Sequence, residues 1–133
     1  MADMDYSLNI EMKERYLHVT VKGENRVTNV LSYLEKIYEA CIEHRCSNVM
    51  IEELLTGPSL DTFDIFIVIT KNFSKAKSIG LRLAYVDMNT EHSKRGLKFA
   101  ENLAHIRGVN VRVFYYGTEE AIEWLINDTA ATA

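Results

Sequence analysis

The segment from Phe99 to Leu125 constrains the fold more than any other part of the chain. Within it a helical pattern ends at Gly108, an alternating run follows over Asn110–Tyr115, and Gly117-Thr118 leads into a second helical pattern. A glycine just past a helix commonly ends it, and alternation of apolar and polar residues is typical of a half-buried strand. A strand between two helices predicts an α/β domain.

The N-terminal part of the chain predicts a β-hairpin followed by a helix. Apolar and polar residues alternate over Tyr6–Lys13 and again over Leu17–Lys22, and the polar pair Glu14-Arg15 lies between the two runs. Strands joined by so short a turn pair antiparallel. From Val27 onwards apolar residues recur every three or four positions, which predicts an amphipathic helix to about Arg45.

The middle of the chain contains one clear strand and one ambiguous element. Asn48–Leu55 is dense in apolar residues in spite of two adjacent glutamates, which indicates a central strand. The run Phe63–Phe73 is rich in β-branched and aromatic residues, yet it also fits a helix that Asp61 would cap and Gly80 would end. We predict a helix, because a crossover is needed before the next strand, Leu81–Val86.

The complete order is therefore β-β-α-β-α-β-α-β-α. In a chain of 133 residues this order predicts a single α/β domain, with a mixed five-stranded sheet and helices mainly on one face. Residues 129–133 have the small and polar composition of a terminal tail, and we expect them to fray.

The composition of the chain limits which classes of partner and which cell compartment are expected. The formal net charge of −4 and the absence of a dense basic stripe argue against nucleic acid as a partner. No stretch of about 18 apolar residues is present to span a membrane. The acidic N-terminus has no secretory signal and two cysteines do not make a disulfide framework, so we expect a cytoplasmic protein with reduced thiols.

Residues near the C-terminus stand in a recognisable pattern: an aromatic-Ala-Glu at Phe99–Glu101, then Arg107-Gly108, Val113-Phe114 and Glu119–Leu125. This pattern resembles the SpoIIAA-like (STAS-like) bacterial domains, and the order of elements matches across nearly the whole chain. The resemblance implies a SpoIIAA-like fold. It also implies a non-enzymatic regulatory module that binds a protein partner and is switched by phosphorylation near the start of its second helix.

The resemblance places the phosphorylated residue in the segment Thr56–Thr62. Ser59 is the nearest equivalent of the acceptor, and Thr56 and Thr62 are further candidates. The segment departs from the family's pattern, because neither Asp-Ser-Ser-Gly nor Asp-Ser-Gly occurs in it. Ordinary helix capping is the alternative explanation for these hydroxyl groups.

Three polar residues are predicted to lie at one edge of the sheet. Glu52 is near the carboxyl end of the central strand, Asp87 follows the next strand, and His92 comes shortly after. Ligands gather at this edge in open α/β sheets, although solvated carboxylates are the simpler explanation. The alternative function is therefore a binder of a small apolar or lipid-like ligand in a cleft between sheet and helices.

The Phe63–Phe73 helix is apolar nearly all round, which is typical of a helix that is buried on both sides. If its aromatic side packs on the sheet, then Ile65, Val68 and Ile69 face outwards, and we predict a homodimer that packs through them. No nucleophile motif, glycine-rich phosphate loop or complete set of metal ligands is present. We therefore predict no catalytic residue, no cofactor and no metal.

Overall fold

The computed structural model describes residues 6–115 and 117–131, and the side chains of these residues as far as 127. The elements in chain order are β1 Tyr6–Met12, β2 Leu17–Glu24, α1 Val27–His44, β3 Asn48–Thr56, α2 Thr62–Ile79, β4 Arg82–Asp87, α3 Lys94–Ile106, β5 Asn110–Tyr115 and α4 Glu119–Ala131. The α/β class and the order of elements that the sequence predicts are confirmed.

The five strands form one mixed sheet in the order β1-β2-β3-β4-β5. β1 pairs antiparallel with β2, and the other neighbours pair parallel. β3 lies at the centre of the sheet, as its apolar density predicts. The parallel strands β2 to β5 consequently end at one common edge.

The two faces of the sheet are covered differently. α1, α2 and α3 pack on one face, where the buried side chains of β2 and β3 include Leu17, Val19, Val49 and Ile51. α4 packs alone on the other face, against a smaller cluster of buried residues: Met50, Ala84, Val86, Phe114, Ala121 and Leu125. The prediction that the helices lie mainly on one face is confirmed.

α2 is a helix in spite of its strand-like composition, and both of its ends have local causes. The carboxylate of Asp61 accepts the backbone N–H of Asp64 at 2.8 Å, which satisfies one of the free donors of the first turn. Gly80 ends the helix in the left-handed conformation, with φ of 75°. Such a φ strains any residue that has a Cβ atom.

The predicted orientation of α2 is wrong. Val68 is buried and Ile69 is half-buried against the sheet, whereas Phe63 and Phe66 are 67% and 42% exposed. The second half of the helix decides its orientation. The stripe through Val68 continues to small or apolar residues such as Ala76, whereas the stripe through Phe63 and Phe66 continues to Ser74 and Lys77. Ile65, Val68 and Ile69 therefore do not form an outward-facing dimer surface.

The C-terminal tail also differs from expectation. α4 continues through Ala131, so residues 129–131 are helical, and only residues 132–133 of the predicted tail lie outside the described part. The alanines of this segment have the highest helix propensity of any residue. Among the described residues, no helix combines the length and the apolar character that a membrane crossing requires.

Candidate functional site

A cavity of about 140 Å³ lies between the sheet and the helices α1, α2 and α3. Its walls are mostly apolar and include Val30, Leu34, Val68, Phe73, Leu83 and Val111. The space exists because small residues, Ala76 on α2 with Gly96, Ala100 and Ala104 on α3, stand where larger side chains would fill it. Two of its lining residues reach solvent, since Ser93 is exposed and Ser59 is half-buried.

A buried carboxylate stands at the polar end of this cavity. Glu53 of β3 is 1% exposed, and both of its oxygens accept hydrogen bonds from tyrosines. The Tyr33 hydroxyl on α1 donates to Oε2 at 2.5 Å, and the Tyr85 hydroxyl on β4 donates to Oε1. The two phenols partly replace the water that Glu53 loses on burial.

Asp87 and His92 form a second polar pair beside Glu53. Asp87 ends β4 and is paired with Glu53 in the parallel register, so both side chains point to the same face. His92 Nδ1 lies 2.8 Å from Asp87 Oδ2, and His92 Nε2 lies 3.0 Å from the Gly57 carbonyl oxygen. His92 Nε2 also lies 3.3 Å from the amide nitrogen of Asn89 and 3.4 Å from that of Asn25, so it faces donors as well as an acceptor.

Three loops meet around His92. The Asn25 amide, in the loop after β2, donates to the Pro58 carbonyl at 2.8 Å. The Asn89 amide, in the loop after β4, donates to the Leu55 carbonyl at 2.9 Å. These contacts, with that of His92 to Gly57, fix the carboxyl edge of the sheet around the cavity.

Burial dominates the electrostatics of this cluster. Loss of water raises the pKa of Glu53 to about 7, against the opposing effect of the hydrogen bonds from Tyr33 and Tyr85. Burial, and then the Glu53 charge, raise the pKa of both tyrosines well above the ordinary value. The phenols are therefore neutral donors at physiological pH, whereas Glu53 gains or loses its proton near neutrality.

The structure brings together two of the three residues that were expected at this edge. Asp87 and His92 belong to the cluster, but Glu52 points to the opposite face, where its Oε1 lies 3.0 Å from His18 Nε2. Glu53 takes the place expected for Glu52. The signal was present in the sequence, because in the alternation of β3 Glu53 shares a face with the buried Ile51.

The candidate phosphate acceptors have three different environments. Ser59 is half-buried, and its Oγ accepts the backbone N–H of Ser93 at 2.7 Å. Thr56 is exposed at the end of β3, and its hydroxyl donates to the Gly23 carbonyl at 3.1 Å. Thr62 is exposed at the first position of α2, where Asp61 does the capping. Of the three, Ser59 alone lines the cavity.

Glu53, Asp87 and His92 are also close enough together to hold a metal ion. Each offers a ligand atom, and these atoms lie within 4.8 Å of one another. A metal would need an unprotonated nitrogen of His92, and both ring nitrogens already have partners: Nδ1 contacts Asp87, and Nε2 contacts the Gly57 carbonyl and the amides of Asn25 and Asn89. The carboxylates are likewise satisfied, by the two tyrosines and by the backbone N–H of Asn89, 2.9 Å from Asp87 Oδ1. Each of the three groups therefore has hydrogen-bond partners within the chain.

Comparison with known proteins identifies the architecture. No protein-family model matches the chain, and no curated protein matches it in sequence. Among solved structures it is similar to the anti-sigma factor antagonist SpoIIAA in its unphosphorylated form, with a TM-score of 0.53 over 88% of this chain and 94% of that one. The fold is SpoIIAA-like. The sequence identity is 14%, so the similarity establishes the fold and leaves the function to the geometry.

Proposed function

We propose that this chain is a non-enzymatic binding module that holds a small ligand with an apolar body in the cavity between the sheet and α1–α3. The cavity itself carries the proposal. About 140 Å³ of largely apolar space lies between the sheet and these helices, whereas protein interiors have few voids larger than a water molecule. A ligand with an apolar body would contact these walls and supply the packing that they lack.

The volume limits the size of the ligand. An engineered cavity of about 150 Å³ in another protein accommodates benzene, so the cavity here fits an apolar body of about one aromatic ring. A long acyl chain exceeds that space. Among the small apolar and lipid-like ligands that the sequence suggested, the volume therefore favours compact ones.

The arrangement of the polar residues suits binding. Both nitrogens of His92 and both carboxylate oxygens of Glu53 and of Asp87 contact hydrogen-bond partners within the chain. These contacts hold the polar groups in fixed positions at one end of the cavity, where they can orient a ligand.

The test is to measure ligand occupancy in two ways. Native mass spectrometry of the protein from its own host should show an added organic mass that denaturation releases. Addition of toluene should raise the melting temperature of the ligand-free protein, because a ligand that binds only the folded state stabilises it. If no host mass is found and toluene causes no shift near saturation in water, the proposal is wrong.

A second candidate function is favoured by a separate observation on α2. Phe63 and Phe66 expose large aromatic surfaces to solvent, next to the Thr56–Thr62 segment and its candidate acceptors. Exposed aromatic residues are enriched where proteins bind partners. By analogy with an anti-sigma factor antagonist, this surface would bind a regulatory protein partner or a second copy of the chain.

Phosphorylation would act on this second function through Ser59. A phosphoryl group bonded to Ser59 Oγ, in place of the hydroxyl hydrogen, would crowd the Ser93 N–H that this oxygen accepts and would add about two negative charges between the loop and α3. Phosphosite mapping in the host, under several growth states, tests the switch.

Sedimentation of wild type and of the double variant Phe63→Ser with Phe66→Ser tests the dimer, since only the wild type should self-associate. A wild-type monomer at high micromolar concentration would contradict the dimer.

A further inference from the structure

The charge of the cavity lining selects among ligands of similar shape. The lining includes the carboxylates of Glu53 and Asp87, and among the described lining residues none is lysine or arginine. The hydrogen bonds to Glu53 come from the neutral phenols of Tyr33 and Tyr85. His92 lies within 4.8 Å of both carboxylates, and its Nδ1 is directed at Asp87, 2.8 Å away.

Burial of an ionised carboxylate that has no hydrogen-bonded cation beside it lowers the free energy of unfolding. Hydrogen bonds from neutral groups recover part of the lost hydration, but an opposite charge recovers more. The same conclusion follows from the raised pKa of Glu53, which reports that the ionised form is disfavoured in the absence of a further partner. A cation delivered by a ligand would supply that partner.

We infer that the natural ligand carries a protonated amine next to its apolar body, and that Glu53 binds the amine. The inference rests on the proposed function, since it concerns the same cavity. Small arylalkylamines belong to this chemical class: they have a body of about one ring, as the volume requires, and a positively charged head.

The hydrogen-bonding capacity of the polar end matches such a head. An ammonium group has three N–H donors and no acceptor. Each oxygen of Glu53 accepts one tyrosine hydroxyl and keeps further accepting capacity, and the hydroxyl oxygens of Tyr33 and Tyr85 remain acceptors after donating to Glu53. Tyr33 and Tyr85 are also among the residues that line the cavity.

The same residues disfavour anionic ligands. A carboxylate or phosphate head would meet Glu53 and Asp87 with no lysine or arginine among the described lining residues. Like charges at short distance in a poorly hydrated site repel strongly. Fatty acids and phosphate-bearing lipids are therefore excluded by charge as well as by volume.

Binding should depend on pH through Glu53. The groups that face its carboxylate are Tyr33 from α1, Tyr85 and Asp87 from β4, and His92 from the loop before α3. The two tyrosines stay neutral across the range, and the amine stays protonated. Affinity for the amine should therefore be highest above pH 7 and fall as the pH decreases through the pKa of Glu53, about 7.

Three compounds with one ring and different charges test the inference on the full chain. Isothermal titration at pH 8 compares benzylamine, which is largely cationic, with benzyl alcohol, which is neutral, and benzoate, which is anionic. We expect benzylamine to bind at least roughly tenfold more tightly than benzyl alcohol, because a hydrogen bond to a charged group contributes more than a neutral one. We expect benzoate to bind most weakly.

Two neighbouring variants make a matched pair. Glu53→Gln should abolish the preference for benzylamine over benzyl alcohol while benzyl alcohol still binds, which also shows that the cavity is intact. Glu52→Gln, on the opposite face, should behave as wild type. If Glu53→Gln does not fold, the wild-type comparison of the three compounds still decides the matter.

The outcomes separate the two proposals. Benzoate or benzyl alcohol binding as tightly as benzylamine, or a benzylamine affinity that does not change between pH 5.5 and 8, would overturn the amine inference and leave the cavity as a binding site. Failure of toluene and of all three compounds to bind would overturn the proposed function and the inference with it. A host-derived mass that contains an amine nitrogen would support both.

Discussion

The two faces of the sheet share the same strands but differ in what lies beneath their helices. Under α4 the small cluster around Met50, Phe114 and Leu125 is buried, and Arg82 stacks on the Trp124 ring with 3.9 Å between its guanidinium carbon and the ring centroid. Under α1–α3 the larger core contains a cavity with a buried carboxylate at one end. Under the proposed function, the α4 face stabilises the fold and the α1–α3 face holds the ligand.

Truncation of a buried side chain under α4 should produce the largest loss of stability. Leu125→Ala removes a fully buried side chain and should lower the free energy of unfolding by about 3–4 kcal/mol. Leu34→Ala removes a side chain that borders the cavity and so has fewer contacts to lose, and it should cost about 2 kcal/mol. Urea unfolding of both variants checks this difference, and equal losses would contradict the contrast between the faces.

Glu53 should make stability fall as the pH rises. Its pKa in the folded protein is about 7, above the ordinary value of 4.5, so between these values the folded state binds more protons than the unfolded state. The free energy of unfolding should therefore decrease from about pH 4.5 to pH 7 by roughly 3 kcal/mol and then level off. The relevant measurement is urea unfolding across this range with no ligand present.

The matched glutamate variants sharpen that prediction. Glu53→Gln should remove the decrease, whereas Glu52→Gln, whose side chain lies with His18 on the other face, should retain it. If stability still decreases with pH in Glu53→Gln, other groups cause the decrease, and the electrostatic description of the cavity is wrong.

The same substitution, alanine to leucine, should stabilise the protein on one face of the sheet and destabilise it on the other. Ala76→Leu on α2 adds volume beside the cavity and should stabilise the protein by about 1 kcal/mol. Ala121→Leu on α4 adds the same volume where the side chain is 0% exposed in a buried cluster, and overpacking should destabilise by about 1–3 kcal/mol. Melting temperatures of the two variants check the signs. Destabilisation by both would mean that the α1–α3 core cannot accept a larger side chain.

The smallest effect is expected on the outer surface of α2. Phe63→Ser should change the free energy of unfolding by no more than about 0.5 kcal/mol, because its side chain is exposed. Val68→Ser, on the inward face of the same helix, should cost several times more. Similar losses in the two variants would contradict the orientation of α2.

The sequence contained enough information for the order of elements and less for the positions of side chains. Hydrophobic periodicity and the turn residues determine where β3 and α2 begin and end, because these are local properties. The orientation of α2 depends on the whole length of the helix, including Ala76, whose small apolar side chain gives little signal. Reasoning from the large aromatic residues Phe63 and Phe66 therefore reversed the two faces.

The candidate site was predicted in part for the same reason. Asp87 and His92 could be placed at the carboxyl edge from the order of strands alone. The choice between Glu52 and Glu53 required the alternation of β3, and the tyrosine partners required the packing of α1 against the sheet. The cavity depends on the summed volumes of side chains from three helices and the sheet, which no local pattern encodes.

The most direct test of the central claim is a ¹H–¹⁵N NMR titration of the full chain with benzylamine at pH 8, alongside the same titration of Ala76→Leu. We predict saturable shifts at the amides of Tyr33, Glu53 and Tyr85 in the wild type, and none at these positions in the filled variant. Shifts that do not saturate, that lie under α4, or that persist unchanged in Ala76→Leu would show that the cavity is not the binding site.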